Sequence, residues 1–302
     1  MNALLAVFDG HPVLFVAIIA ILGLLVGSFL NVVIFRMPVI LKRDWEDQCR
    51  ELMQENGEPP RASKRFNLLV PRSRCMKCGH EITALENIPV ISYLLLKGRC
   101  SECGVSISSR YPMVEMGTAV LSAIVAWRFG PGWEMILALL FTWSLVALAG
   151  IDIDEKLLPD AITLPLLWLG LLVSLWSLPA FTDVRDAVIG AAAGYLSLWL
   201  LYHVFRLLTG KEGMGYGDFK LLAALGAWYG WQLLPLTVLL STVVGAVVGI
   251  VLIVAGRRDR QATIPFGPYL AAAGWVALLC LGTFACTQRS APTEHPPYAQ
   301  AA

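Results

Sequence analysis

The sequence predicts an all-α polytopic membrane protein with about eight transmembrane helices and a cytoplasmic, zinc-ribbon-like loop after the first. Three observations predict it. Of 302 residues, 57% are hydrophobic and only 15% charged, with a mean hydropathy of +0.67; a water-soluble chain of this length needs more polar surface. Apolar runs of membrane-spanning length recur along the chain. Four cysteines fall as two CxxC pairs in the one long polar segment. The net charge of +1 gives no basis for a nucleic-acid partner.

Crossing a hydrocarbon core of roughly 30 Å takes about 17–25 apolar residues. Segments that serve lie near 13–35, 113–129, 134–151, 161–179, 186–208, 219–230, 232–255 and 266–286. Pro131-Gly132, Pro159, Pro179, Gly210 and Gly230 mark the seams. The sixth segment is short and is read as a crossing because its neighbours require one. The first is too long for a signal-peptide core and lacks a basic flank before it, so it is expected to be retained as a transmembrane helix. The organisation expected is a first transmembrane helix (1–35), a cytoplasmic cysteine-rich domain (36–112), a seven-helix membrane domain (113–286) and a disordered tail (287–302) containing Pro292, Pro296 and Pro297. No internal repeat is apparent.

Lysine and arginine set the orientation. Thirteen fall in 36–112, and with that segment cytoplasmic, eight crossings place seven more on the same side. Only Arg128, Arg185 and Arg289 fall outside. This topology brings the end of the third span and the start of the sixth to one membrane face.

Acids stand at both places. Asp152-Ile153-Asp154 ends the third span, and Gly213-Met214-Gly215-Tyr216-Gly217-Asp218-Phe219-Lys220 opens the sixth. An acid at a span is costly and is a functional candidate, although Asp218 alone also fits a plain helix N-terminal charge. The alternating glycines favour function: Gly215 and Gly217 leave clearance for an extended peptide beside Asp218. Two carboxylates sharing a proton are the apparatus of aspartic proteolysis, in which one takes a proton from water and the other hydrogen-bonds the scissile carbonyl. No G-x-S-x-G or H-E-x-x-H occurs, and His11, His80, His203 and His295 do not suggest a nucleophile–histidine pair. A proton-coupled transporter and a membrane scaffold carrying a metal module are the competing classes. Neither accounts for acids collected at one face beside a glycine track.

Cys75-x-x-Cys78 and Cys100-x-x-Cys103, 21 residues apart, have the spacing of two zinc knuckles, each closed by a glycine (Gly79, Gly104). Cytoplasmic placement keeps them reduced. A tetrathiolate site leaves no open coordination position, so the Zn2+ expected here is structural.

Taken together, these motifs resemble the type IV prepilin peptidases, bifunctional leader peptidases and N-methyltransferases of the bacterial inner membrane. The resemblance runs from about Gly23 to Gly274. It is carried by Gly27-Ser28-Phe29-Leu30-Asn31, both CxxC pairs with Asn87-Ile88-Pro89 between them, and Arg110-Tyr111-Pro112-Met113-Val114-Glu115. It continues through Asp152 to Asp160, the GxGD run and Pro265-Phe266-Gly267-Pro268. It implies an aspartic protease of the GxGD type, related in mechanism to presenilin-like proteases. Its substrates would be type IV prepilins and type II secretion pseudopilins, cut at the cytoplasmic face after a basic leader. S-adenosyl-L-methionine would then methylate the new N-terminal residue; that step is implied by the resemblance alone. Counting back from Pro159-Asp160, the resemblance places the first catalytic aspartate at Asp152, with Asp218 as the second; Asp154 is the alternative to Asp152. Asp160 is expected to cap the fourth span, and Lys220 to bind substrate or balance charge near Asp218.

Overall fold

The computed structural model describes residues 11–53, 66–176, 178, 181–211, 213–255 and 265–289. Among these the chain forms nine helices: α1 (Pro12–Met53), α2 (Ile91–Leu95), α3 (Arg110–Phe129), α4 (Trp133–Glu155), α5 (Asp160–Ser174), α6 (Val184–Thr209), α7 (Tyr216–Tyr229), α8 (Leu234–Val254) and α9 (Gly267–Arg289). The described residues contain no strand, only two isolated bridges. Each apolar segment expected to cross is helical. Four helices, α1, α4, α6 and α8, are long and apolar enough to span a membrane, while α5 and Gly267–Cys280 are shorter apolar helices. The tail lies outside the described residues from position 290 onward.

Two elements differ from their expected form. The first helix does not stop near residue 35 but continues through Pro38 for 42 residues to Met53. That is about 63 Å, far longer than a bilayer core. Pro38 removes one backbone donor, but the residues after it favour helix, and Arg50 pairs back one turn with Glu46 (3.8 Å) and Asp47 (3.5 Å). The sixth apolar segment, α7, has only 14 residues, about 21 Å. It is the centre of the bundle, with α5, α6, α8 and α9 packed around it. Every residue from Asp218 to Tyr229 except Lys220 is buried, which explains why the run is apolar on all faces.

Small residues let α6 approach α7. A Cβ built on Gly190 would collide with the carbonyl of Gly226, and one on Gly226 with the carbonyl of Gly190. Close backbone approach of this kind is how helices associate where lipid offers no hydrophobic driving force. The aromatic core then fills around Trp228. Its ring lies 4.9 Å from that of Phe141 and 5.5 Å from that of Phe181, and its Nε1 donates to the Leu166 carbonyl at 2.9 Å.

The cysteine-rich segment contains a repeat that its spelling conceals. Arg74–Ile82 and Arg99–Ile107 both read Arg-Cys-x-x-Cys-Gly-x-x-Ile. In each, the first cysteine's N–H donates five residues on, to His80 and to Val105, both at 2.9 Å. Gly79 (φ 76°) and Gly104 (φ 67°) turn the chain in the left-handed region. The arginines open matching bridges, Arg74 to Glu81 and Arg99 to Ser106. The sequence expectation of no internal repeat is corrected: only about half of the nine positions are identical, too few to stand out without the shared backbone.

Candidate active site and metal centre

The end of the bundle that carries the cysteine-rich segment is held by ion pairs between helices. Lys42 of α1 meets Glu155 of α4 at 2.5 Å, and Arg110 of α3 pairs with Asp154 and donates to the Gly150 carbonyl at 3.2 Å. Lys220 of α7 is held by both carboxylate oxygens of Asp160 at 2.7 Å. Pairs this exposed contribute about 0–1 kcal/mol each, so their use is alignment rather than stability.

Inside this ring two aspartates are buried. Asp152, in the last turn of α4, is 6% exposed, and Asp218, in the first turn of α7, is 7% exposed. They lie near enough for their charges to interact. Asp154, two residues from Asp152, faces the opposite way toward Arg110 and is about a third exposed (32%). Of the two candidates in the Asp152-Ile153-Asp154 cluster, the structure therefore buries Asp152 beside Asp218.

Asp152 is positioned by Gly267, a residue whose part in the site the sequence alone does not show. The N–H of Gly267, the first residue of α9, donates to Asp152 Oδ2 at 3.0 Å. A Cβ at Gly267 would lie 2.7 Å from that oxygen and 3.1 Å from Cγ, so the contact requires glycine. The helix N-terminus adds its partial positive charge at the carboxylate. A signal existed in the sequence, a glycine between two prolines opening an apolar run, but its partner is 115 residues away. Across the site, Asp218 Oδ1 is buried with no hydrogen-bond partner among the described residues. A buried carboxylate oxygen left unpaired is costly, and such an atom marks a place for a group that arrives from outside.

The glycines beside Asp218 separate in the structure. A Cβ on Gly215 would meet only Asp218 Oδ2, at 4.0 Å, so space beside it is open. A Cβ on Gly217 would lie 2.7 Å from the Cβ of Leu158. The clearance at Gly217 is filled by the protein's own α4–α5 connection, not by open space for a peptide. Asp160 is likewise not a cap: Pro159 occupies the cap position without a side-chain bond, Asp160 is the first helical residue, and its carboxylate is taken by Lys220. Proline at the boundary left the cap position one residue earlier than expected.

The four thiols converge. Cys75 Sγ is 3.8 Å from Cys103 Sγ, Cys78 Sγ is 4.0 Å from Cys100 Sγ, and all four lie within 4.8 Å of one another. Ligands at a Zn–S distance of about 2.3 Å in a tetrahedron are about 3.8 Å apart, so the donor set fits a metal ion. The amides of Cys78 and Lys77 lower the Cys75 thiol's pKa, while desolvation and the neighbouring thiols, Cys75 first among them, raise that of Cys78, so the cluster shares its protons before a metal displaces them. Glu86 ties the two knuckles together. It accepts from the Ser101 hydroxyl, from Thr83 N (2.8 Å) and Oγ1 (2.9 Å), and pairs with His80 Nε2 (3.1 Å). These donors, Ser101 first, hold its carboxyl down at about 2.

Comparison with known proteins places this architecture. The model of the bacterial peptidase A24 N-terminal domain matches residues 21–129, and that of the type IV leader peptidase family matches residues 139–250. The chain belongs to the type IV leader peptidase family. Among its relatives, the prepilin leader peptidase/N-methyltransferase of Aeromonas salmonicida (strain A449) is 56% identical over 279 residues, covering 92% of this chain and 95% of the relative. That of Pseudomonas aeruginosa is 53% identical over 276 residues, covering 91% and 94%. That of Dichelobacter nodosus is 49% identical over 263 residues, covering 86% and 90%. No solved structure matches the chain. Within this leader peptidase, the buried aspartates Asp152 and Asp218 both fall in residues 139–250, matched by the leader peptidase model, and all four cysteines fall in the N-terminal domain.

Proposed function

We propose that this chain cleaves the leader peptides of type IV prepilins and type II secretion pseudopilins at the cytoplasmic face of the bacterial inner membrane, and then methylates the new N-terminal residue. The observation that carries the cleavage reading is the pair of buried carboxylates, Asp152 and Asp218, brought to one end of the bundle from different helices. The names of the relatives carry the substrate and the methylation.

Cleavage needs one proton shared by the two acids. One carboxylate takes a proton from water as the water oxygen attacks the scissile carbonyl carbon. The other, protonated, hydrogen-bonds the carbonyl oxygen as charge develops there. Collapse breaks the C–N bond, and the amine leaves with a proton returned by the dyad. Gly267 fixes Asp152 for this work, the unpaired Asp218 Oδ1 offers the position for water or carbonyl, and the open side at Gly215 admits the extended leader. Lys220, being held by Asp160, supports the α5–α7 contact next to the site.

The relatives are named N-methyltransferases; the methyl donor that this activity implies is S-adenosyl-L-methionine, which would supply the methyl group. The surface grooves lined by Lys42, Trp45, Glu46, Cys49 and Arg50 and by His11, Pro12, Val13, Leu14 and Ala17 are each formed along one side of α1. They have no facing wall, so neither fits that donor. Cys75, Cys78, Cys100 and Cys103 would hold Zn2+, which closes the two knuckles and takes no part in the chemistry.

The test is prepilin cleavage by the purified protein carrying Asp152→Asn or Asp218→Asn, followed by the mobility of the product on a gel. Each substitution is expected to slow cleavage on the order of 10⁴-fold. Processing at the parent rate by either variant would remove that residue from the dyad.

A further inference from the structure

The short helix α2 has its polarity inverted for a segment in water. Ile91, Leu94 and Leu95 share one face at i, i+3 and i+4, and they are 55%, 67% and 77% exposed. Ser92 points inward, buried, and donates to the Leu85 carbonyl at 2.6 Å. A surface helix normally does the reverse.

The height of α2 is fixed by a bond to the membrane bundle. Val90, at its N-terminus, donates its N–H to Glu115 Oε2 at 2.8 Å. Glu115 is buried in α3, five residues past its start, about 7.5 Å deeper. Val90 has φ 59°, a conformation that β-branched residues rarely adopt, so this turn is held in place rather than relaxed. The same level of α3 exposes Met113 (70%) and Met116 (53%), apolar residues of a helix that enters the bundle there. The apolar face of α2 is thus level with the apolar flank of α3. Exposed basic residues, Lys97 and Arg99, follow it directly.

We propose that α2 is an interfacial membrane element: Ile91, Leu94 and Leu95 enter the acyl region of the bilayer, and Lys97 and Arg99 meet anionic phospholipid headgroups. An apolar face with a basic border is the arrangement by which helices lie in the lipid interface. The bilayer is favoured over a protein partner because α2 is tethered at the depth where lipid begins and its flanking charge complements anionic lipid. The cysteine module is then held down on the membrane at two points, the Glu115 bond and α2, rather than standing free in the cytoplasm.

The test uses the full-length protein in vesicles of phosphatidylethanolamine and phosphatidylglycerol, with the photo-crosslinker p-benzoylphenylalanine in place of Leu95. The reference is the same group in place of Leu52, also exposed (86%) but near the end of α1, about 25 Å beyond residue 35. After illumination, mass spectrometry is expected to find phospholipid adducts at position 95 several-fold above those at position 52. Lys97→Gln with Arg99→Gln should reduce the phosphatidylglycerol adduct more than the phosphatidylethanolamine adduct. The same substitution at Leu94 repeats the measurement in an independent variant. Adducts at 94 and 95 no more frequent than at 52 would overturn the proposal, as would crosslinks that join two protein chains in place of lipid.

Discussion

Replacing Gly267 by alanine adds one methyl group at the most sensitive place in the site. The new Cβ would lie 2.7 Å from Asp152 Oδ2, whereas a carbon and an oxygen in contact settle at about 3.3–3.6 Å. Either the aspartate or the start of α9 must therefore move by roughly 0.6 Å or more. The Gly267 N–H bond, now 3.0 Å, would open to about 3.6 Å, beyond a useful hydrogen bond. Losing a hydrogen bond to a charged group costs about 1.5–3 kcal/mol, which corresponds to about 10- to 150-fold in rate. Misplacing a reacting group by about 1 Å has a similar cost, near 10²-fold. Gly267→Ala is accordingly expected to cleave prepilin about 10²-fold more slowly while keeping its fold, since Gly267 does not have the positive φ that would exclude a side chain. The control is Gly117→Ala, where nothing lies within 4 Å of the added Cβ and no change is expected. Initial rates of leader release in detergent measure both. Cleavage by Gly267→Ala at the rate of the Gly117 control would refute the positioning of Asp152 by α9.

Four further outcomes follow from the same geometry. Asp154→Asn breaks only its partly exposed pair with Arg110, so cleavage should stay within about fivefold of the parent, and a loss matching that of Asp152→Asn in the same assay would reverse the choice between them. Gly217→Ala should destabilise the protein by about 1–3 kcal/mol through overpacking on Leu158; Leu158→Ala should recover part of that in a thermal melt, and an absence of rescue would return the clearance at Gly217 to the substrate. Metal analysis should find about one Zn per chain, lost on replacing Cys75 and Cys78 by serine together. Glu86→Gln should release the metal to a chelator faster than the parent. The Glu86 carboxyl sits at about 2 when folded, below an unfolded value of about 4.3. Its contribution to folding stability is therefore complete above that value and is lost as pH falls toward 2, so the difference in Tm between parent and Glu86→Gln should not shrink between about pH 7 and about pH 5. A difference that shrinks over that range would contradict the ionisation assigned to Glu86.

What the sequence made legible was whatever depends on local pattern. Long apolar runs between Pro and Gly seams became helices because lipid leaves a spanning backbone few other forms, and the CxxC spacing carried its turn glycines with it. What stayed hidden depends on contacts between distant segments. Nothing near Gly267 in the chain reveals that it faces Asp152. Gly217 reads as open backbone until Leu158 is found against it. Asp160 reads as a cap because Pro159 and its own carboxylate suit a helix start, yet Lys220, 60 residues on, takes the carboxylate. The continuation of α1 to Met53 was obscured by the drop in hydropathy after Phe35, which ends a membrane span without ending a helix. The brevity of α7 was visible, but its place at the centre of the bundle follows only from the packing of α5, α6, α8 and α9 around it.

Whether Asp152 and Asp218 act as one unit is decided by a double-mutant cycle on prepilin cleavage. Groups that act together are grossly non-additive. Asp152→Asn, Asp218→Asn and the double variant are all expected to cleave at nearly the same residual rate. Losses that multiply, with the double variant slower than either single variant by the full factor of the other, would show two independent acids and contradict the dyad.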